Sequence, residues 1–198
     1  MPTRRIKLTD DFKAALRDLS HPEKDKLLFR LLAKEPALVE KLRFELLEGG
    51  DTTELRREEL AESMRRRLEE DAVGNFYSPG YLLLDLRHQS ARITKHVKAT
   101  KDKEGEVALN LLLLNTSLPP LLHQIKDFRR GKTVTLSKYV VQRARKILTL
   151  LDKLHPDLHV EYADELRTLG RSIAAVEEML YQAKEQGLDV ERLQWGEA

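Results

Sequence analysis

The chain contains no cysteine, which removes disulfides, thiolate nucleophiles, Cys-ligated zinc and iron–sulfur clusters from consideration together. Aromatic residues are scarce, at 6%, so a surface built to stack nucleobases has little to work with. No stretch approaches the ~20 apolar residues that a bilayer-spanning helix needs. The longest candidate, 107–118, is interrupted by Asn110, Asn115, Thr116 and Ser117. The basic start Arg4-Arg5-Ile6-Lys7 is not followed by an apolar run of signal-peptide length, so a cytoplasmic chain without membrane contact is expected. No segment recurs at a fixed period, which argues against a stacked repeat array.

Catalytic patterns are missing as well. Arg130-Gly131-Lys132-Thr133 ends like a phosphate-cradling loop, but that pattern needs glycine five positions before Gly131, where Lys126 stands. A turn between two helices is expected there instead. No Gly-x-Ser-x-Gly elbow occurs. Asp85 and His88, and likewise Asp152 and His155, place carboxylate and imidazole three apart, a spacing that can chelate metal from facing helices. At 1.5 Å per residue, however, His88 lies ~14 Å and His155 ~32 Å along two helices expected to run parallel. The pairs should miss each other, so no metal, cofactor or catalytic residue is assigned. An enzyme would require Asp85, His88, His123 or Arg143 to face one cavity between the helices.

What the chain does contain is leucine at helical spacing among many charges: 41% of residues are hydrophobic and 34% charged. This composition predicts an all-α protein. Thr9 caps a helix over 10–19, and Ser20-His21-Pro22-Glu23 has the spacing of a capping box opening a second helix to about 33. In that helix Leu27, Leu28, Leu31 and Leu32 form a stripe expected to be buried. A third helix follows Pro36, carries Leu38, Leu42, Leu46 and Leu47, and stops at Gly49-Gly50. A charged helix over 52–72 shows only a thin apolar stripe of Leu55, Leu60, Met64 and Leu68.

Ser78-Pro79 marks the best boundary, with an N-cap followed by proline in the first helical turn. Beyond it, helices are expected over 79–100, 104–128, 134–155 and 157–186, the second kinked at Pro119-Pro120. Short connections between them predict an antiparallel four-helix bundle. The architecture expected is therefore a smaller N-terminal helical hairpin subdomain with its connecting helix (1–73), the bundle (79–186) and a tail (187–198). In the tail, Leu188, Val190, Leu193 and Trp195 either pack back or dock on a partner. Residues 133–141 also permit a short strand before a helix capped by Ser137. That order resembles a ribbon-helix-helix DNA-binding unit over under a tenth of the chain. In that family the strand precedes both helices, whereas here about 130 residues come first.

Charge is unevenly distributed. Residues 85–153 hold 15 basic against 6 acidic residues, a net +9, while 157–198 hold 4 basic against 10 acidic, a net −6. Either the acidic last helix neutralises the basic ones, or Arg87, Arg92, Lys95, Lys98, Arg129, Arg130 and Lys132 form a polyanion-binding surface. With no reactive set in view, the leading expectation is a non-enzymatic scaffold or adaptor working through protein–protein contacts, with another protein or with a second copy of itself. Nucleic-acid binding through the basic segment is the alternative.

Overall fold

A computed structural model describes residues 6–195, with side chains through Leu193, and every regular element among them is helical. The caps explain where the helices begin. Thr9 accepts a hydrogen bond from the Phe12 amide (3.4 Å) and opens α1 (Asp10–Asp18). The Ser20 amide and hydroxyl both donate to Glu23 (2.9 and 2.6 Å), starting α2 (His21–Leu32). Next comes α3 (Pro36–Leu46), after which Gly49 and Gly50 take φ values of 64° and 80°, a region that penalises any Cβ. Helix α4 (Thr53–Arg67) passes into a wider π-helical turn over Leu68–Val73, closed by the Gly74 amide donating to the Glu69 carbonyl (2.8 Å). The expected uninterrupted helix over 52–72 is thus corrected; the wide turn brings Leu68 and Ala72 into the core together with Met64.

Ser78 accepts from the Tyr81 amide (3.4 Å) and starts α5 (Pro79–Thr100) at the expected boundary. The two prolines split the next element into α6 (Lys103–Ser117), a 3₁₀ turn over Pro119–Leu121, and α7 (Leu122–Lys126). After them come α8 (Arg130–Leu151), α9 (Asp157–Glu161), α10 (Ala163–Ala175), α11 (Glu177–Glu185) and α12 (Val190–Trp195). No helix among the described residues is long and apolar enough to cross a membrane.

Side-chain contacts fix the directions of the central helices. Tyr139 donates to the Leu86 carbonyl (3.3 Å) and Arg143 to the Ser90 hydroxyl, so α5 and α8 run parallel. Arg143 also donates to Asn110 (3.1 Å), and Lys146 pairs with Glu106 (2.5 Å), so α6 runs antiparallel to α8. Leu109, Leu111, Leu113 and Leu114 are buried, making α6 the enclosed member that its all-round apolarity predicts.

Three other expectations are corrected. Residues 130–133 are the first turn of α8, neither a linking turn nor the start of a strand. Thr133, Leu136, Ser137 and Val140 recur at helical spacing and all are buried, so tertiary packing overrides the β-branched preference of Thr133, Val134 and Thr135. The helix expected over 157–186 is three pieces, broken at Val176, whose backbone is extended (φ −111°, ψ 114°). Breaking it lets α10 bury Leu166, Leu169 and Ile173 while α11 separately buries Met179 and Ala183. Finally, the stripe of α2 is not buried. Leu28 and Leu31 are exposed, and Leu27 and Leu32 only half-covered.

Candidate docking surface

Neither α1 nor α2 contains a buried residue, and α3 contains one, Phe44. The Arg56 guanidinium lies over the Phe44 ring at 5.5 Å and also pairs with Glu48, fastening α3 to the start of α4. Leu27, Leu32, Val39 and Leu42 are half-buried, and α3 packs against α5. Leu28, Phe29, Leu31, Leu38, Leu46 and Leu47 retain between 43% and 77% of their accessible surface. Leu28, Phe29, Leu31 and Leu38 lie within six residues of the 33–35 turn, whereas Leu46 and Leu47 lie at the far end of α3, roughly 12 Å from Leu38 along its axis. Isolated exposed leucines are ordinary, but six large apolar residues exposed on two consecutive helices are more than a scattered surface usually carries.

The hairpin has a firm anchor at that far end. Glu48 accepts from Arg56 Nε (2.7 Å) and from the Thr52 hydroxyl. The Arg56 hydrogen bond, ahead of the Thr52 one, draws the Glu48 carboxyl down to about 2. A lowered folded-state value means that the anchor is complete above the ordinary glutamate range, about 4.3, and is lost only as pH falls toward 2. Carboxyl-detected NMR titration should place the Glu48 midpoint near 2, and Arg56→Ala should return it to the ordinary range. A wild-type midpoint near 4.3 would contradict the arrangement.

The seven basic residues singled out in the sequence are not one patch. Arg87, Lys95 and Lys98 are exposed on α5, whose single acid, Asp85, is half-buried. Arg92 turns inward, donating to Gln89 and to Ser63 of α4 (both 2.8 Å). Arg129, Arg130 and Lys132 stand at the start of α8. Because Leu86 is level with Tyr139 and Ser90 with Arg143, the start of α8 lies roughly 30 Å along the axis from Lys98. Arg130 is moreover paired with the buried Glu178 of α11 and stacked on Tyr181 at 4.6 Å. Acidic α11 therefore neutralises part of α8 and none of these α5 residues.

One polar cluster escaped the sequence reading. His96, near the end of α5, places Nε2 3.0 Å from Asp102 Oδ2, and Arg57 of α4 places Nε 3.2 Å from the same oxygen. Asp102 Oδ1 accepts from the Gly105 amide (2.8 Å), capping α6. Arg57 continues to Glu104 (2.7 Å). Burial pushes the Asp102 carboxyl up, but hydrogen bonds from His96 and the Gly105 amide, with the charge of Arg57, leave it below its ordinary value. Tyr162 closes the cluster, its hydroxyl pushed up to about 12, first by burial and then by Glu104. Carboxylate–imidazole spacing within one helix does not reveal His96 and Asp102, which are six apart across a helix end. The usable signal was Asp102 at capping distance from Gly105.

Catalytic convergence is not seen in the set named beforehand. Arg143 faces inward onto Ser90, Asn110 and Tyr139, whereas His88 and His123 are exposed and Asp85 is half-buried. His155 lies beside Asp157 (3.3 Å) while Asp152 pairs with Arg192 (2.5 Å), separating the second carboxylate–imidazole pair. No group of three potential metal ligands occurs among the described residues. A cleft of about 380 Å³ opens where the Val176 bend meets the start of α8, lined by Ile125, Phe128, Arg130, Val176, Glu177 and Glu178. Its buried carboxylate, Glu178, is already held by Arg130 and Gln182. Leu188 and Leu193 of the tail are buried; the Trp195 side chain lies outside the described residues. The chain matches no family model, and no curated protein or solved structure is detectably similar to it.

Proposed function

We propose that this is a non-enzymatic, cytoplasmic adaptor or scaffold that docks another protein surface onto the α2–α3 hairpin. In this reading α5, α6, α8 and the α10–α11 pair form a bundle-like body, and the hairpin is the working part, packed against α5 through α3 and tied to α4 at Arg56. The observation that carries the proposal is the exposure of Leu28, Phe29, Leu31, Leu38, Leu46 and Leu47 on these two helices. Six exposed apolar side chains on a hairpin with a single buried residue contribute little to the fold, which leaves them available for contact.

Leu28→Glu, Phe29→Glu and Leu46→Glu combined should leave thermal stability nearly unchanged, because exposed positions cost about 0.5 kcal/mol or less each. The same variant should fail in affinity capture to retain whatever the wild type retains. Equal capture by both proteins would end this reading.

A second reading has one observation in its favour: Arg87, Lys95 and Lys98 are exposed on a helix whose only acid is half-buried. On this reading α5 binds a polyanion through phosphate contacts. Three such contacts give a slope of about −2.7 in log affinity against log salt for duplex DNA. Charge reversal at Arg87, Lys95 and Lys98 should flatten that dependence. Binding that is absent, or insensitive to salt, removes it.

A further inference from the structure

We infer that the joint outer face of α5 and α8 binds single-stranded nucleic acid, phosphates on its cations and bases on Tyr77 and Tyr81; this rests on the second reading above and names its ligand. The two helices pack against each other and both pack against α6, so their sides turned away from α6 form one face. They hold a single acidic residue between them, the half-buried Asp85. Leu86 is level with Tyr139 and Ser90 with Arg143, an offset of 53 residues in both cases, which places each α8 position against α5. Lys132, Lys138 and Arg145 of α8 then stand level with positions 79, 85 and 92, interleaved with Arg87, Lys95 and Lys98 of α5. All six are exposed, and none is paired with a carboxylate among the described residues. Lys138 and Arg145 each precede a buried residue, Val140 and Ile147, by two positions, which turns them about 160° away from the core. Lys95 stands in the same relation to buried Ile93. At 1.5 Å per residue the ladder is roughly 29 Å long, with no step above about 9 Å. Lys138 and Arg145, which the sequence did not single out, thus fill the interval between the start of α8 and Lys98. Arg130 and Lys146 stand apart from the ladder, because Glu178 and Glu106 already hold them.

The aromatic pair supplies what cations alone lack. Tyr77 and Tyr81 are 76% and 60% exposed, their rings edge to face at 5.4 Å. Phe76 meets Phe128 edge-on at 6.1 Å, which ties this end of α5 to the start of α8 and its Lys132. Exposed rings offer stacking surface to unpaired bases, which a duplex keeps within its own stack. A helix that lies on a membrane turns a broad apolar side outward, whereas α5 turns that side into the core. Acids border the face on the α4 side, where burial and then the charge of Asp71 raise the Asp85 carboxyl.

Fluorescence anisotropy of the full chain with a labelled oligothymidylate of about 12 nucleotides, within the range of known single-strand sites, tests this. Six phosphate contacts predict a slope of about −4 in log affinity against log salt. Lys138→Gln/Arg145→Gln should reduce that slope to about −3. Tyr77→Ala/Tyr81→Ala should weaken binding about 10-fold or more while leaving the slope alone. Circular dichroism should find both variants as helical as the wild type, since every substituted side chain is exposed. A duplex of the same length should bind more weakly and ignore the tyrosine substitutions. Equal affinity for duplex and single strand, or tyrosine variants that bind like the wild type, overturns the single-strand inference and leaves the polyanion reading standing. A slope near about −2 that survives Lys138→Gln/Arg145→Gln also overturns it, because α5 then acts without α8. Binding of phosphatidylserine vesicles in place of either nucleic acid assigns the face to a membrane and overturns the inference alone. Binding of none of the three overturns both.

Discussion

Asp102→Ala should cost about 3–5 kcal/mol of stability, the loss typical of removing one partner from a buried ion cluster. The carboxylate is 4% exposed and is contacted by His96, by Arg57 and by the Gly105 amide. Removing it leaves two nitrogen-bearing side chains facing an apolar gap and uncaps α6 in the same step. For a chain of this length each kcal/mol moves the melting temperature by about 2–4 °C, so a drop of about 6–20 °C is expected. Gly105→Ala should give a smaller loss, about 2–3 kcal/mol, by a different route. A Cβ on residue 105 would stand 1.9 Å from Asp102 Oδ2, so the carboxylate must leave the position from which it holds His96 and Arg57. Glu104→Ala, at a pair that is 42% exposed on the acid side, should cost about 1 kcal/mol or less. The order Asp102→Ala, Gly105→Ala, Glu104→Ala is the signature; a loss under about 1 kcal/mol for the first would show that the cluster does not join α4, α5 and α6.

The sign of the pH dependence follows from the same contacts. Because the Asp102 carboxyl is held below its unfolded value, its contribution is complete above about 3.9 and disappears as pH falls below that. Asp102→Asn keeps the shape and removes the ionisation. Its stability against pH should therefore lose part of the acid limb seen in the wild type, with the two curves converging at low pH. Curves that stay parallel would mean that the charge of Asp102 contributes nothing.

How much of this was legible in the sequence depends on the range of the interaction responsible. Thr9, Ser20, Gly49 and Ser78 mark helix ends correctly because a cap is settled within about four residues, all visible in the local sequence. The bend at Val176 was invisible. Leu166, Leu169, Ile173, Val176 and Leu180 keep helical spacing straight through it, and only the packing of Met179 and Ala183 elsewhere in the core requires the break. The strand-like run at Thr133–Thr135 misled for the complementary reason, since burial along α8 outweighs a local preference worth a fraction of a kcal/mol per residue. For the candidate surfaces the failure was one of distance. Arg87 and Arg130 both lie in a segment of net +9, yet parallel α5 and α8 hold the groups apart and Glu178 claims one of them.

Leu113→Ala and Leu46→Ala should separate by about 2–5 kcal/mol, although spacing alone assigns both leucines to helix-borne apolar stripes. Leu113, in the middle of α6, is fully buried between the flanking helices, so truncation both forfeits transfer energy and leaves a cavity that rigid neighbours cannot fill. Leu46, 75% exposed, loses almost nothing on truncation in the isolated chain and slightly gains helix propensity. Urea denaturation should show the first variant unfolding at a much lower midpoint and the second superimposed on the wild type. Equal losses for the two variants would mean that α3 is packed as tightly as α6. The hairpin would then be core rather than contact surface, and its leucines would have no partner to seek.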